Sequence, residues 1–230
     1  MISTLEKEIT FRYLKTRKRD GFLNIISIFS FIGISLGVAV LIIVMSVMNG
    51  FRTELTNKII GFNAHATVKP YGKKIDINKF ENKEIKRISN KLFLSNSSEA
   101  IIINKNYTKG LLLRGYKESD FSRLEITKKN NFIGNPKKLI KNHISIGKEL
   151  SFELDLKLGD RITIMSPSNI ETIIGSLPKQ KTFIINSIYE SGLIEFDQNV
   201  AFINLETLEA MFDLKSEKRN LEIYLKKPHN

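Results

Sequence analysis

The sequence has 230 residues, 42% of them hydrophobic, and a formal net charge of +12 at neutral pH. It contains no cysteine, which excludes disulfide bonds and thiolate zinc sites. The basic excess is scattered along the chain and lacks the basic stripe and base-reading elements of nucleic-acid-binding proteins. We therefore expect no nucleic-acid partner.

A long uncharged run near the N-terminus predicts a membrane-spanning helix. No charged residue lies between Asp20 and Arg52, and the apolar part, from Phe22 to Met48, is longer than the roughly 20 residues that cross a bilayer. Two alternatives are a buried helix of a soluble protein and a cleaved signal peptide. The first rarely lacks charges over so many turns, and the second has an apolar region of only about 7–15 residues. We assign residues 21–50 to an uncleaved transmembrane helix.

The flanks of this run predict its orientation. Residues 1–20 carry six basic side chains, and positive residues stay on the cytoplasmic side of a membrane. Residues 1–20 are therefore expected to form a cytoplasmic amphipathic segment, with an ordinary frayed terminus as the alternative. Phe51, Leu55 and Ile59 continue the helical spacing, so residues 51–61 are expected to form a helical stalk that ends near Gly61.

Residues 62–230 predict an α+β domain outside the membrane, because strand and helix patterns alternate along them. Strands are expected at 64–68, 99–104, 109–116, 161–165, 182–190, 199–203 and 221–226. One helix is expected from Ile77 to Leu92 and another near 147–155. Asn204 is a candidate N-terminal cap of a further helix, which would bury Leu208 and Phe212.

A loop over residues 166–181 is predicted between two of these strands. Its turn-forming residues and its apolar residues are Pro167, Ile170, Ile173, Ile174, Gly175, Leu177 and Pro178. Loops of this length are usually functional or disordered, and a disordered loop is polar. The apolar side chains indicate either a projecting docking element or a segment that folds back over the sheet. The residues alone do not decide between these two.

Catalytic and nucleotide-binding motifs are missing from the sequence. Gly147-Lys148 lacks the glycine-rich approach and the hydroxyl residue of a phosphate-binding loop, and the three histidines have no metal-ligand spacing. We expect no metal site, no cofactor and no catalytic residue. The outer domain is therefore interpreted as a binding domain and not as an enzyme.

Two sets of residues on the predicted membrane helix are candidates for contacts. Gly33 and Gly37 form a small-xxx-small pair that favours close helix packing. Val44, Met48 and Phe51 form a bulky apolar face at the outer end of the span. That face either meets lipid or lines a cavity for acyl chains, and the pattern leaves both open.

The N-terminal third of the chain closely resembles the LolC/LolE lipoprotein-releasing permeases. The resemblance rests on residues 9–55, which contain FRYL, a basic cluster, GISLGV and SVMNGF, and on IIGFNAHATV at 59–68. The stretches 111–116, 144–168 and 177–212 resemble the MacB-like periplasmic domain of that family. Single pieces recur in MacB-like permeases, whereas the whole string does not.

The resemblance implies a subunit of an ABC transporter in the inner membrane. Such permeases pair with a second LolC/LolE-like subunit and with cytoplasmic LolD-like ATPase subunits. They extract triacylated lipoproteins from the membrane and pass them to the periplasmic carrier LolA. In LolC-type members a loop at the place of residues 166–181 catches LolA, and the first helix lines the lipid cavity. The resemblance therefore assigns residues 166–181 to carrier docking and Val44, Met48 and Phe51 to acyl-chain contact.

Two alternatives to this function are retained. One is a MacB-like efflux or mechanotransmission permease, whose periplasmic domain binds an adaptor protein. The other is a membrane-tethered enzyme. The family continues with three more spanning helices, so we expect this chain to be a fragment or a truncated reading frame. Its sequence does not distinguish a LolC-like, LolE-like or hybrid role.

Overall fold

The computed structural model describes residues 4–14, 21–60, 63–72, 74–80, 83–104, 107–128, 130–172 and 175–226. These residues form two compact units, which comprise residues 1–56 and 57–230. Each unit is described by itself.

The first unit consists of two helices, α1 (Thr4–Leu14) and most of α2 (Gly21–Ile60). The 40 residues of α2 confirm that the uncharged run forms one helix that continues beyond the apolar part. Among the described residues, α2 is the one helix that is long and apolar enough to cross a membrane. Its apolar side chains from Ile25 to Phe51 are exposed, as expected of a surface that meets lipid or other membrane helices.

The second unit contains nine strands and six short α-helices, within the described residues. The strands are β1 (Ala66–Val68), β2 (Ser89–Asn104), β3 (Tyr107–Tyr116), β4 (Ile133–Gly134), β5 (His143–Gly147), β6 (Arg161–Thr172), β7 (Gly175–Tyr189), β8 (Val200–Asn204) and β9 (Asn220–Leu225). The helices are α3 (Ile77–Phe80), α4 (Lys83–Ile88), α5 (Glu118–Phe121), α6 (Lys148–Glu153), α7 (Ile194–Asn199) and α8 (Leu205–Phe212). The predicted mixed α/β domain after a long apolar helix is thus confirmed.

The strands form one sheet in the order β1-β9-β2-β3-β8-β5-β7-β4. Strand β6 lies off this path and pairs with both β2 and β7, so that β2, β3, β8, β5, β7 and β6 close into a ring. Two pairings in the ring are parallel, β3 with β8 and β5 with β7, and the other four are antiparallel.

Alternating side chains of these strands build the core. In β3, Leu111 and Leu113 are buried while Leu112 between them is exposed. Helix α8 packs closely on this strand, because a Cβ atom added at Gly115 would lie 2.9 Å from Cδ2 of Leu208. Glycine at this position therefore lets the helix and the sheet approach each other.

Local signals predicted some boundaries and missed others. The cap of α8 is confirmed, because Oδ1 of Asn204 accepts from the backbone N–H groups of Glu206 and Thr207 at 3.1 and 3.3 Å. The helix predicted up to Leu92 is wrong at its C-terminal end. Strand β2 begins at Ser89, where pairing with β9 overrides the helical spacing of the side chains.

Candidate functional site

Strands β6 and β7 form a long hairpin whose inner half is held by the sheet. Residues 163–165 of β6 pair with β2, and residues 184–189 of β7 pair with β5. The side chains of Ile162, Ile164, Phe183 and Ile185 are buried in the core. Between the two strands, the Oγ1 atoms of Thr163 and Thr182 lie 3.3 Å apart. The inner half therefore belongs to the architecture of the domain.

The outer half of the hairpin extends beyond these neighbours. Residues 169–172 pair with 175–178, and in the described part of the chain no third strand pairs with them. An irregularity between Met165 and Asn169 places Pro167 at the start of this half, and Pro167 is exposed. Proline has no N–H group to give to a neighbouring strand, and it occurs in sheets at such edges and bulges. The outer half is therefore a two-stranded ribbon that projects from the ring.

The prediction of a loop over residues 166–181 is wrong in its secondary structure, because β6 continues to Thr172 and β7 begins at Gly175. Pro167 and Pro178 suggested breaks in the strands. In the structure Pro167 occupies the bulge and Pro178 pairs with Asn169 on a strand that has no further partner there. Proline is tolerated at a bulge and on a strand without a second neighbour, so the strands continue through both prolines.

The residues predicted for docking are arranged along this ribbon. Ile170 lies opposite Leu177, and Gly175 begins β7 opposite Thr172. Ile173 and Ile174 lie outside the described residues. The backbone register thus brings together the two ends of the predicted docking segment, whose role stays a prediction.

Contacts of longer side chains fasten the ribbon at its base. The ammonium group of Lys179 forms an ion pair with the carboxylate of Asp213, which follows α8 in a left-handed conformation with φ 53°. Nε2 of Gln180 donates to Sδ of Met165 at 3.8 Å across the two strands. The ribbon is therefore positioned from both the sheet and the end of α8.

A buried polar cluster lies elsewhere in the domain, around the carboxylate of Glu222 in β9. Ser95 Oγ, Arg114 Nη2 and Tyr116 OH donate to this carboxylate at 2.6, 2.9 and 2.8 Å, and Tyr224 OH donates at 3.1 Å. Burial raises the pKa of the Tyr116 hydroxyl well above its usual value, so this group stays a donor. A buried charge with this many partners stabilises one arrangement of the strands.

The same cluster reaches the segment that follows α2. Nη1 of Arg114 donates to Oδ1 of Asn63 at 2.9 Å, and the backbone N–H of Asn63 donates to the carbonyl of Ile59 at 3.3 Å. Arg114 therefore joins the last turn of α2 to strand β9 within the second unit.

The sequence patterns did not predict this cluster or one further surface. Arg114, next to the apolar residues of a predicted strand, could have indicated a buried polar cluster. The second surface is an open groove of about 520 Å³ on the outer face of β2 and β3, beside Pro167. Gly110, which has no side chain, forms the floor of this groove. From the sequence alone, a glycine in a strand indicates only a weak point of that strand.

The candidate residues of the membrane helix all lie on α2. The side chains of Val44, Met48 and Phe51 share one face, and each is 56–59% exposed. A Cβ atom added at Gly33 or Gly37 would meet nothing within 4 Å. Acyl-chain contact and helix packing at these positions stay predictions.

No group of three or more histidine or acidic residues within the described ranges can hold a metal ion. Nδ1 of His65, one of the three histidines, accepts from the backbone N–H of Leu225 at 2.7 Å.

The family model of the MacB-like periplasmic core domain matches residues 27–229. The chain belongs to this family. Over 215 residues it is 27% identical to the lipoprotein-releasing system transmembrane protein LolC of Xylella fastidiosa, covering 91% of this chain and 51% of that protein. Over 234 residues it is 28% identical to the LolC of Neisseria meningitidis, covering 99% and 56%. The resemblance to the LolC/LolE permeases is confirmed.

Among solved structures, the periplasmic region of MacB from Actinobacillus actinomycetemcomitans is 10% identical, with a TM-score of 0.45, covering 71% of this chain and 75% of that one. The chain spans about half the length of the curated relatives it matches.

Proposed function

We propose that this chain is part of a permease subunit of an ABC transporter that extracts lipoproteins from the inner membrane and hands them to the periplasmic carrier LolA. Two relatives at 27–28% identity, each matched over at least nine-tenths of this chain, are named LolC of a lipoprotein-releasing system. The observation that carries the proposal is the ribbon of residues 169–172 and 175–178, which lies within the predicted segment 166–181. It projects from the sheet at the place that the resemblance assigns to carrier docking.

The proposal includes an orientation and a set of partners. The N-terminus lies in the cytoplasm and residues 62–230 lie in the periplasm, as the basic flank of α2 favours. The chain works with a second LolC/LolE-like subunit and with LolD-like ATPase subunits, which hydrolyse ATP. The chain itself is not an enzyme.

The marginal stability of the ribbon supports a docking role. An isolated two-stranded ribbon is marginally stable in water, so a projecting one gains from a partner that covers it. The sequence of the segment 166–181 is rich in apolar residues, and an aliphatic side chain that a partner encloses contributes roughly 1.5–3 kcal/mol to binding.

Calorimetry between the full chain in detergent and the LolA of the same organism tests this proposal. In the test variant a flexible Gly-Ser-Gly-Ser linker replaces residues 170–177 and joins Asn169 to Pro178, which requires no N–H group at Pro178. We expect wild type to bind and the variant to lose binding while its unfolding temperature is unchanged. Binding that survives in the variant contradicts the docking role, and a wild-type chain that does not bind LolA contradicts the function.

Lipoprotein handling by α2 is tested in the assembled transporter. Met48→Lys places a charge on the face of Val44, Met48 and Phe51, where burial of an acyl chain would then leave the charge unsolvated. We expect co-purified lipoprotein to fall at least about tenfold. Ser46→Lys, on another face of the same helix, is the matched control, and an equal loss in both variants contradicts the acyl-chain contact.

A MacB-like permease that binds a periplasmic adaptor is the second candidate, because the matched family model is that of the MacB-like periplasmic core domain. Binding of the full chain to an adaptor protein, with no binding to LolA, would favour it.

A further inference from the structure

The ends of α4 and β9 meet beside the residues that follow α2. The backbone N–H of Asn63 donates to a carbonyl in the last turn of α2 at 3.3 Å. Two residues later, Nδ1 of His65 accepts from the backbone N–H of Leu225 at 2.7 Å. The backbone N–H of Lys226 in turn donates to the carbonyl of Ile88, the last residue of α4, at 2.9 Å. Hydrogen bonds therefore hold both ends next to the point where the chain leaves α2.

Basic side chains predominate at this point. Lys83, Lys86 and Arg87 are exposed and lie three and four positions apart on α4, so they share one face of that helix. Glu84 is the single acidic residue of the helix. The ammonium group of Lys226 donates to the carbonyls of residues 86 and 87 at 3.0 and 3.2 Å, which adds a fourth positive charge where the helix ends. These four basic residues are called the basic face of α4.

The basic face has the chemistry of a surface that meets anions at a membrane. Like charges three and four positions apart repel one another, and a helix of six residues has few hydrogen bonds to offset that repulsion. Anions bound across the face remove the repulsion. Ile88, at the end of the same helix, is 51% exposed and adds an aliphatic side chain. Cations beside an exposed aliphatic residue are typical of helices that lie at a membrane surface.

The length of α2 brings this point close to the lipid headgroups. Phe51 is the last residue before the first charge, and the helix ends at Ile60, nine residues later and about 13 Å further along its axis. The headgroup layer extends roughly 5–7 Å beyond the apolar core of a bilayer. The long side chains of lysine and arginine can cover the rest of the distance. Anionic phospholipids of the membrane that α2 crosses are therefore the anions nearest to the basic face.

We infer that the basic face of α4 and Ile88 bind anionic phospholipid headgroups of that membrane. The anionic headgroups neutralise the repulsion along α4, and Ile88 enters the layer between them. The domain is then held at two points, by the covalent link to α2 and by the lipids, so its hold depends on the charge of the leaflet. The inference rests on the membrane anchoring in the proposed function and not on carrier binding.

A fluorophore on α4 tests this inference on the full chain. The chain has no cysteine, so Ile88→Cys allows a polarity-sensitive fluorophore to be attached at this site alone. The labelled chain is inserted into nanodiscs of neutral phosphatidylcholine, or of phosphatidylcholine mixed with anionic phosphatidylglycerol. Lys83→Gln combined with Arg87→Gln removes two charges of the basic face. Lys215→Gln combined with Lys218→Gln, at exposed lysines before the other end of β9, is the matched control.

We expect the emission to shift to shorter wavelength in the anionic discs and not in the neutral ones, because the headgroup layer receives the fluorophore only when it attracts the basic face. The double variant of α4 should lower the ratio of docked to free domain about thirtyfold, since each basic side chain near an anionic surface contributes about fivefold. Salt at about 1 M should abolish the shift, because it reduces the screening length to about 3 Å. The control variant should behave as wild type does.

The outcomes separate this inference from the proposed function. Equal emission in neutral and anionic discs overturns the inference while the carrier role stands. A shift that the α4 variant and the control lose to the same extent reflects net charge alone and also overturns it. Calorimetry with LolA in the same anionic discs is the second measurement, and absent LolA binding with an intact shift contradicts only the carrier role. A chain that does not insert into the discs contradicts the membrane anchoring and this inference together.

Discussion

The inner and outer halves of the β6–β7 hairpin share two strands but differ in what holds them. The inner half pairs with β2 and β5 and buries Phe183. The outer half pairs only with itself among the described residues, and Lys179 fastens it to Asp213 at its base. The difference shows that one hairpin can be part of the domain core at its inner end and be free to bind a partner at its outer end. Substitutions at the two ends should therefore have different consequences.

The largest effect is expected in the inner half. Phe183→Ala removes a fully buried ring from the core and should lower the free energy of unfolding by about 3–5 kcal/mol. Denaturant unfolding of the full chain in detergent measures this change. A decrease in the free energy of unfolding below about 1 kcal/mol would mean that the inner half is not part of the core. It would contradict the difference between the two halves.

A similar contrast exists between two carboxylates, since Glu222 is enclosed by donors while Glu99 is not. Arg114→Met leaves the buried Glu222 without its cation and should cost about 3–5 kcal/mol. Adding Glu222→Gln to that variant should recover part of the loss, which a double-mutant cycle measures. Additive effects of the two substitutions would contradict the ionic coupling, and Glu99→Gln is the control expected to change stability by less than about 0.5 kcal/mol.

The sequence predicted those features that have local causes. The uncharged run and the helical spacing of Phe51, Leu55 and Ile59 predicted the extent of α2, and Asn204 predicted the start of α8. Pairings between distant segments could not be predicted in this way. Arg114 and Glu222 are 108 positions apart, and β2 begins at Ser89 because β9 lies beside it. The rule that proline interrupts strands predicted a loop around Pro167 and Pro178. The prediction was wrong because the rule applies only where a third strand is present.

At the junction of the two halves a small effect is expected. Lys179→Met removes the ion pair with Asp213, whose carboxylate is well exposed, and should cost at most about 0.5–1 kcal/mol. Hydrogen exchange of the amide groups of residues 175–177, 179 and 180 should accelerate, while exchange in residues 183–189 stays as in wild type. Lys215→Met, at another exposed lysine, is the control. Faster exchange throughout β7 would show that the two halves open together.

The smallest effect on stability is expected in the outer half. Replacing residues 170–177 by the Gly-Ser-Gly-Ser linker should change the free energy of unfolding by less than about 0.5 kcal/mol, because no third strand loses a partner and the connection becomes shorter. The same denaturant series measures it beside Phe183→Ala. A destabilisation as large as that of Phe183→Ala would remove the distinction between the halves.

The two prolines of the ribbon also bear on how the chain avoids aggregation. A projecting hairpin offers backbone groups to any extended segment nearby, and such edges nucleate intermolecular sheets. Pro167 and Pro178 each remove one N–H group from these edges, and the bulge beside Pro167 interrupts the regular spacing of the rest. A copy of the same ribbon therefore finds a poor template for strand addition. Two copies of the chain are therefore less able to join their ribbons through backbone hydrogen bonds.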